Sequence, residues 1–481
     1  MTLPEFPLRT GAYSMRPSHS LLPRLSMTYT RLFVRALALG AAAAVSAGAQ
    51  SRPAIRQLGP TLATTTDSIG MVTNVRALPG GRLLVNDIAS RRVLLLDSTM
   101  KVLSVVADST PSTANAYGPR SGSLIAFRGD STLFVDPASL SMLVIDPQGK
   151  LGRTMSVPRA QDAMMLAAGL GAYYSNGHLV YRGMPNVQMR MSGAPGAGNA
   201  PQVEVPDSMA VVRVNLQTRV LDTVGFVKIP RTRPIISRAD DKISISVEIN
   251  PLPTVDEWVV TSTGDIAILR GSDFHVDWVG SDGQRRSSPK VVFDWKRMTD
   301  EDKSKLVDSV SKILEKQFSS GSAGGNALQQ GFQSMMGGAG GGGAPVTMRF
   351  EMRAGDGAPG AGGPVRAPQM TAPKLTVVSA SELPDYQPPF FASSARADLD
   401  GNIWIQTIPT KPQPAGVVYD ILNKDGQAVD RVLIPEGRTI LGFGPGGVVY
   451  LAVREGPATA IGAAGALPTG AAMKIERARL R

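Results

Sequence analysis

A hairpin that repeats constrains this chain more than any other feature. Short apolar runs come in pairs around a tight-turn signal: 75–78, then Pro79-Gly80-Gly81, then 82–85; and 124–127, then Gly129-Asp130, then 132–135. Further pairs centre on Asn176-Gly177, Thr263-Gly264, Asp400-Gly401 and Gly446-Gly447. Gly and Asn accept the left-handed backbone that tight hairpin turns demand, so each signal predicts two antiparallel strands. A second pair of strands follows the clearest signals, at 93–96 with 102–105 and 142–145 with 152–157, and later copies turn at Ser281-Asp282-Gly283 and Asn423-Lys424-Asp425-Gly426.

Four short strands per unit, recurring every ~40–50 residues, are the pattern of a β-propeller. The turns fall near 80, 130, 177, 264, 401 and 446; three of the five intervals have that period, and the two long ones hold charged or Gly/Pro-rich insertions. A β-sandwich with irregular loops is the alternative, but it has no reason to repeat one hairpin grammar along the whole chain. The expected fold class is therefore all-β, a six-bladed β-propeller over 50–481 with an inserted amphipathic helix and a Gly-rich flexible loop. The last unit supplies strands at 448–453 and 473–480 but lacks its outermost one, whereas the apolar segment 54–58 has no partner. The spacing predicts that 54–58 completes the last blade and closes the ring, because an open ring leaves sheet faces unburied and an edge unpaired.

The segments 256–269 (DEWVVTSTGDIAIL), 274–279 (FHVDWV) and 397–405 (ADLDGNIWI) resemble blades of the bacterial six-bladed propellers of the NHL and TolB-like kind. The likeness is one of scaffold over most of 54–481 outside the insertions. It implies no single activity, since propellers of this architecture include binding modules, lyases and lactonases.

The insertion spans 296–372. Within it, 299–318 carries an N-cap, early acidic residues and an apolar stripe (Leu306, Val310, Ile313, Leu314, Phe318), which predicts a helix lying across one end of the propeller. Residues 319–372 read as a flexible loop, 321–364 holding 15 Gly in 44 residues. Smaller stretches of the same kind occur at 192–201 and 456–470. At the N-terminus, Arg31 and Arg35 precede an apolar run at 36–45 and small residues up to Ala49, which reads as a signal peptide over 1–49 and a periplasmic or secreted location. Met1, Met15 and Met27 are each possible starts. The apolar run is about half of a bilayer span, so no transmembrane segment is expected after cleavage.

With no Cys, the chain has no thiolate metal site, disulfide or cysteine nucleophile. Only His178 and His275 lie beyond the leader, which excludes a His-rich metal centre. The net charge of +11 is not clustered or interleaved with aromatics, so no nucleic-acid partner is expected. Gly442-Phe443-Gly444-Pro445-Gly446-Gly447 matches a dinucleotide fingerprint in letters but sits inside a hairpin, not before a helix. Asp398-Leu399-Asp400-Gly401-Asn402 resembles part of a calcium loop without its closing bidentate Glu. The Trp residues 258, 278, 295 and 404 read as blade packing rather than a sugar platform.

In a propeller, innermost strands line a channel, and Asn74, Arg76, Asp162, Asp256, Glu257, Arg396 and Asp398 fall on or just before such strands. Asp87 and Asp136 follow the second strands of the first two units. The candidate ligand-binding set is Arg76, Asp87, Asp136, Glu257 and Arg396. Each carboxylate also has a plain structural use, since Asp in turns bonds its own backbone. No catalytic residue, metal ligand or cofactor is assigned. The expectation is a monomeric module that binds a protein or small polar ligand through channel-mouth loops. The alternatives are a metal-assisted, lactonase-like hydrolase or lyase with its site at the channel, and a structural part of a cell-envelope assembly.

Overall fold

The computed structural model describes residues 51–109, 117–168, 172–184, 188–190, 202–239, 242–319, 369–370, 374–413, 415–454 and 472–480. Apart from Ser51 these belong to the unit Arg52–Arg481. The expected signal peptide, the Gly-rich loop from 320 to 368 and the stretches at 192–201 and 456–470 lie outside the described residues.

Each turn signal closes a hairpin, and strands dominate the fold. Glycines at the turns take φ from +54° at Gly129 to +90° at Gly401, a region closed to most side chains. Sheet one runs in order through Val72–Ala77, Leu83–Asp87, Arg92–Leu96 and Val102–Ala107. Sheet two is Ser123–Ala126, Thr132–Asp136, Ser141–Ile145 and Leu151–Ser156. Sheet three is Tyr173–Ser175, His178–Arg182, Ser208–Asn215 and Leu221–Lys228. Sheet four is Glu257–Val260, Ile266–Arg270, His275–Val279 and Arg285–Ser287. Sheet five is Phe390–Ala397, Ile403–Thr407, Gly416–Leu422 and Ala428–Pro435. Sheet six joins Arg438–Gly444, Val448–Arg454 and Met473–Arg479 to Thr61–Thr64.

Side chains alternate across each strand, so both faces of a sheet are apolar and each face packs on a different neighbour. In sheet four, Trp258 and Val260 meet Val180 and Val211 of sheet three, while Val259 meets Phe390 and Ala395 of sheet five. The same arrangement joins sheets one and two around Leu95 and Phe134, two and three around Val135 and Tyr181, and five and six around Trp404 and Val449. Sheets six and one share a core containing Leu83, Leu94, Tyr450 and Ile475. Neighbouring sheets in sequence are thus neighbours in space, and the last returns to the first, which is the packing of a β-propeller.

The N-terminal segment corrects the expected closing strand. Thr61–Thr64, not 54–58, pairs antiparallel with Met473–Arg479, while Ile55–Gln57 runs parallel to Ala428–Pro435 as a fifth strand on sheet five. The backbone N–H of Thr65 and the carbonyl of Ile475 are 3.0 Å apart, and the Ile475 N–H donates to the Thr65 hydroxyl, extending the junction beyond the strand. Apolarity misdirected the assignment: in Thr61–Thr64 two of the four side chains are polar and the first two residues are exposed, so its place is set by backbone pairing.

Between sheets three and four the chain makes a further antiparallel pair, Thr232–Ala239 with Lys242–Ile249, extended in parallel by Lys374–Val377. This element was not expected, because the parallel strand comes from more than a hundred residues downstream. The helix runs Asp300–Ser319. Thr299 caps it by accepting the Asp302 N–H, and the Asp302 carboxylate accepts the Thr299 N–H in return. Part of the expected apolar stripe is covered from within the chain: Leu306, with Val307, lies on Leu252, Met298, Val378 and Leu383, and Val310 and Leu314 on Ile249 and Leu375, whereas Ile313 is 55% exposed and turns away from this face. Among the described residues no helix is long and apolar enough to cross a membrane.

Candidate functional site

Glu257 opens the innermost strand of sheet four and is 6 % exposed. Its Oε1 accepts the Ser393 N–H at 2.6 Å and its Oε2 the Ala395 N–H at 3.4 Å. Ser393 is free to donate because the inner strand of sheet five leaves its ladder between Phe390 and Ala395, and Ala395, where the ladder resumes opposite Ile405, belongs to the innermost strand, whose other edge has no strand partner among the described residues. Ser393 there has φ +62°, a conformation that a non-Gly residue rarely holds without a reason. The bulge turns the Ser393 N–H toward a carboxylate on the neighbouring sheet, which the Ala395 N–H also reaches.

Burial pushes the Glu257 carboxyl up to about 7, against the opposing pull of the two N–H donors and of Arg182 and Arg396. Arg182 ends the second strand of sheet three; desolvation lowers its pKa and Glu257 opposes this. Arg396 lies on the inner strand of sheet five, where its charge is felt by Glu257, Tyr173 and Tyr419. Tyr173 begins the inner strand of sheet three with its ring edge-on to Trp258 at 5.6 Å, and burial pushes its hydroxyl up to about 12, with Arg396 pulling the other way. Three consecutive sheets therefore set two guanidiniums and a phenol in the field of one carboxylate whose pKa burial raises to about 7. Such a group holds a polar ligand or moves a proton.

The structure brings Glu257 and Arg396 together and leaves the other sequence-derived candidates elsewhere. Arg76 lies on the inner strand of sheet one; its Nη1 donates to the Ala77 carbonyl at 2.7 Å and its buried Nε has no partner among the described residues. Asn74 donates to the Leu124 carbonyl, joining sheets one and two. Asp87 is fully buried and accepts from the Gly70 and Ser90 N–H groups and from Arg92. Asp136 accepts from the Ala138 N–H and the Ser139 hydroxyl.

Asp162 holds Arg159 and the Tyr181 hydroxyl, and Asp256 holds the Lys228 and Gly271 N–H groups with Arg270. Asp398 accepts from the Asp400 and Asn402 N–H groups and from Trp404 Nε1, which is the work of a turn. His275 is on the third strand of sheet four between Asp273 and Asp277, at 2.6 and 3.2 Å. Trp258, Trp278 and Trp404 are buried in inter-sheet cores, whereas Trp295 is exposed. Among the described residues no three His, Asp or Glu side chains are grouped as a metal ion requires.

Arg182, Tyr173 and Ser393 were missed by sequence reasoning. Arg182 closes a second strand rather than an inner one, and the left-handed Ser393 sits in Phe390–Ala397 without a Gly to mark it. Tyr173 was within reach, as one of two adjacent tyrosines in the short run before the Asn176-Gly177 turn, on a strand expected to be innermost.

No family model matches the chain, and no curated protein matches its sequence. Solved structures resemble it distantly. A gluconolactonase from Xanthomonas campestris is 10% identical over 89% of this chain and 95% of its own, with a TM-score of 0.31. The calcium-binding protein regucalcin from Agrobacterium tumefaciens is 11% identical over 89% and 98%, with a TM-score of 0.34. The virginiamycin B lyase of Staphylococcus aureus is 9% identical over 89% and 99%, with a TM-score of 0.33. At these values nothing transfers from them to this chain, and the propeller assignment rests on its own sheet order and inter-sheet cores.

Proposed function

We propose that this chain is a six-bladed β-propeller, of the NHL and TolB-like kind, that works outside the cytoplasm as a monomer and binds a small polar ligand at the channel wall formed by sheets three, four and five. Support for six blades comes from the six inter-sheet cores in cyclic order, and for an extracytoplasmic location from the leader-like sequence 1–49. One observation carries the binding reading. Glu257 interacts electrostatically with Arg182, Arg396 and Tyr173, so that three sheets contribute to one cluster, and Ser393, with φ +62°, donates its N–H to the Glu257 carboxylate. A scaffold needing only stability would fill such a place with apolar side chains.

Equilibrium dialysis of the chain from residue 50 against a panel of neutral sugars, organic acids and amino acids, read by mass spectrometry, tests this. The proposal expects at least one retained compound whose retention changes in Glu257→Gln. Retention of none, or retention indifferent to Glu257→Gln and Tyr173→Phe, overturns it.

The Glu257 carboxyl, at about 7, also favours a second reading: a hydrolase or lyase, lactonase-like in substrate, with Glu257 as general base. Turnover of lactones abolished by Glu257→Gln, with a rate that rises through pH 7, would select this reading over simple binding.

A further inference from the structure

Neither the Arg182 nor the Arg396 guanidinium has a hydrogen-bond or ion-pair partner among the described residues, and the charged group whose field acts on both is Glu257. This contrasts with the other arginines that face carboxylates. Arg92, Arg159, Arg270, Arg431 and Arg438 each sit within 3.1 Å of theirs. A guanidinium presents five N–H donors in a planar fork, and leaving two forks undocked in a half-buried place is costly unless something docks there. The centre carries two positive charges against at most one negative, so it stays positive whatever the state of Glu257. The strand pairing sets Tyr173 opposite Val180, two residues before Arg182, the charge of Arg396 acts on its hydroxyl, and its ring packs edge-on against Trp258, an apolar surface that an organic anion uses and an inorganic one does not.

We infer that the channel ligand is a small organic carboxylate whose planar oxygens dock on the forks of Arg182 and Arg396 with its carbon skeleton against Tyr173. This deepens the binding reading above and rests on it. Bringing a negative charge beside Glu257 favours the protonated form of its carboxyl, so binding takes up a proton near neutral pH and weakens as pH rises. The charged and titratable groups acting on Glu257 from the packed strands are Arg182 and Tyr173 of sheet three and Arg396 of sheet five.

Titration calorimetry with acetate, malonate, inorganic phosphate, sulfate and a neutral methyl glycoside, at pH 6.5 and 8.5, tests the inference. Expected are binding of a carboxylate, weaker at pH 8.5, and a loss of about tenfold or more in each of Arg182→Gln and Arg396→Gln. Melting of both variants should match the parent, since neither residue has a partner to lose, and Arg233→Gln on the surface of the inserted sheet should bind as the parent does.

Carboxylate binding unchanged in the two arginine variants overturns the inference, as does binding of phosphate or sulfate with the carboxylates inert. If the glycoside binds in a way that Glu257→Gln alters while carboxylates do not, the carboxylate class falls and the channel reading stands. If no probe binds and the dialysis panel is also empty, both fall.

Discussion

Replacing Glu257 by Gln should change how stability responds to pH. The folded protein holds the Glu257 proton to about 7, whereas the unfolded chain releases it near the ordinary value of 4.5. The folded state therefore binds more protons between these limits, and stability is full below 4.5 and lost as pH rises through about 7. A shift of this size corresponds to about 2.5 kcal/mol lost between pH 5 and pH 8, with most of the change above pH 5.

Gln is nearly isosteric, and its Oε1 keeps the 2.6 Å acceptor position for the Ser393 N–H. It gives up the charge and turns an NH₂ toward the longer Ala395 contact, so part of the gain at high pH is lost as about 1 kcal/mol of donor–donor conflict. That loss is independent of pH and cancels when slopes are compared. Urea titrations of parent and variant at pH 5, 6, 7 and 8 should show the parent losing about 2.5 kcal/mol more than Glu257→Gln across the range. Parallel slopes in the two proteins would refute the placement of Glu257 in a desolvated site.

Other expected outcomes concern the scaffold. Deleting 52–65 removes the fourth strand of sheet six and the strand paired with sheet five, and should lower the melting temperature far more than trimming an ordinary terminus, by roughly 10 °C or more in a calorimetric scan. Tyr117→Phe strands the buried Asn86 Oδ1 and the Gly122 N–H that the Tyr117 hydroxyl now serves, which should cost about 1–3 kcal/mol in urea titration. Gly271→Ala would place a Cβ 1.9 Å from the Val255 carbonyl oxygen, backbone against backbone, and should cost about 3 kcal/mol or prevent soluble expression.

The repeat was legible because its signal is local. A hairpin turn needs Gly or Asn at particular positions, so Gly80, Asn176, Gly264 and Gly446 mark the sheets wherever their strands end up. The helix was legible for the same reason, its cap and stripe lying within twenty residues. The pairings of Thr61–Thr64 with sheet six and of Lys374–Val377 with the inserted sheet were not legible, being backbone ladders closed across hundreds of residues between segments of ordinary composition.

Part of the candidate cluster was legible. Glu257 and Arg396 stand on inner strands, which the repeat locates, and the structure brings them into one field. Asp87, Asp136 and Asp398 looked alike in sequence, yet each holds backbone N–H groups of its own sheet's loops, whereas Glu257 takes its two from the neighbouring sheet, and only coordinates separate the two cases. Arg182 carried no signal, since nothing in the strand His178–Arg182 says that the charge of its last residue acts on a carboxylate of the next sheet.

The claim on which the account rests is that Glu257 is a buried carboxyl facing two undocked arginines. Difference infrared or carboxyl ¹³C titration of the parent against Glu257→Gln measures it directly. The account predicts one carboxyl with a midpoint near 7, present in the parent, absent in the variant and moved upward by malonate. A Glu257 midpoint near 4.5, unmoved by malonate, would contradict it.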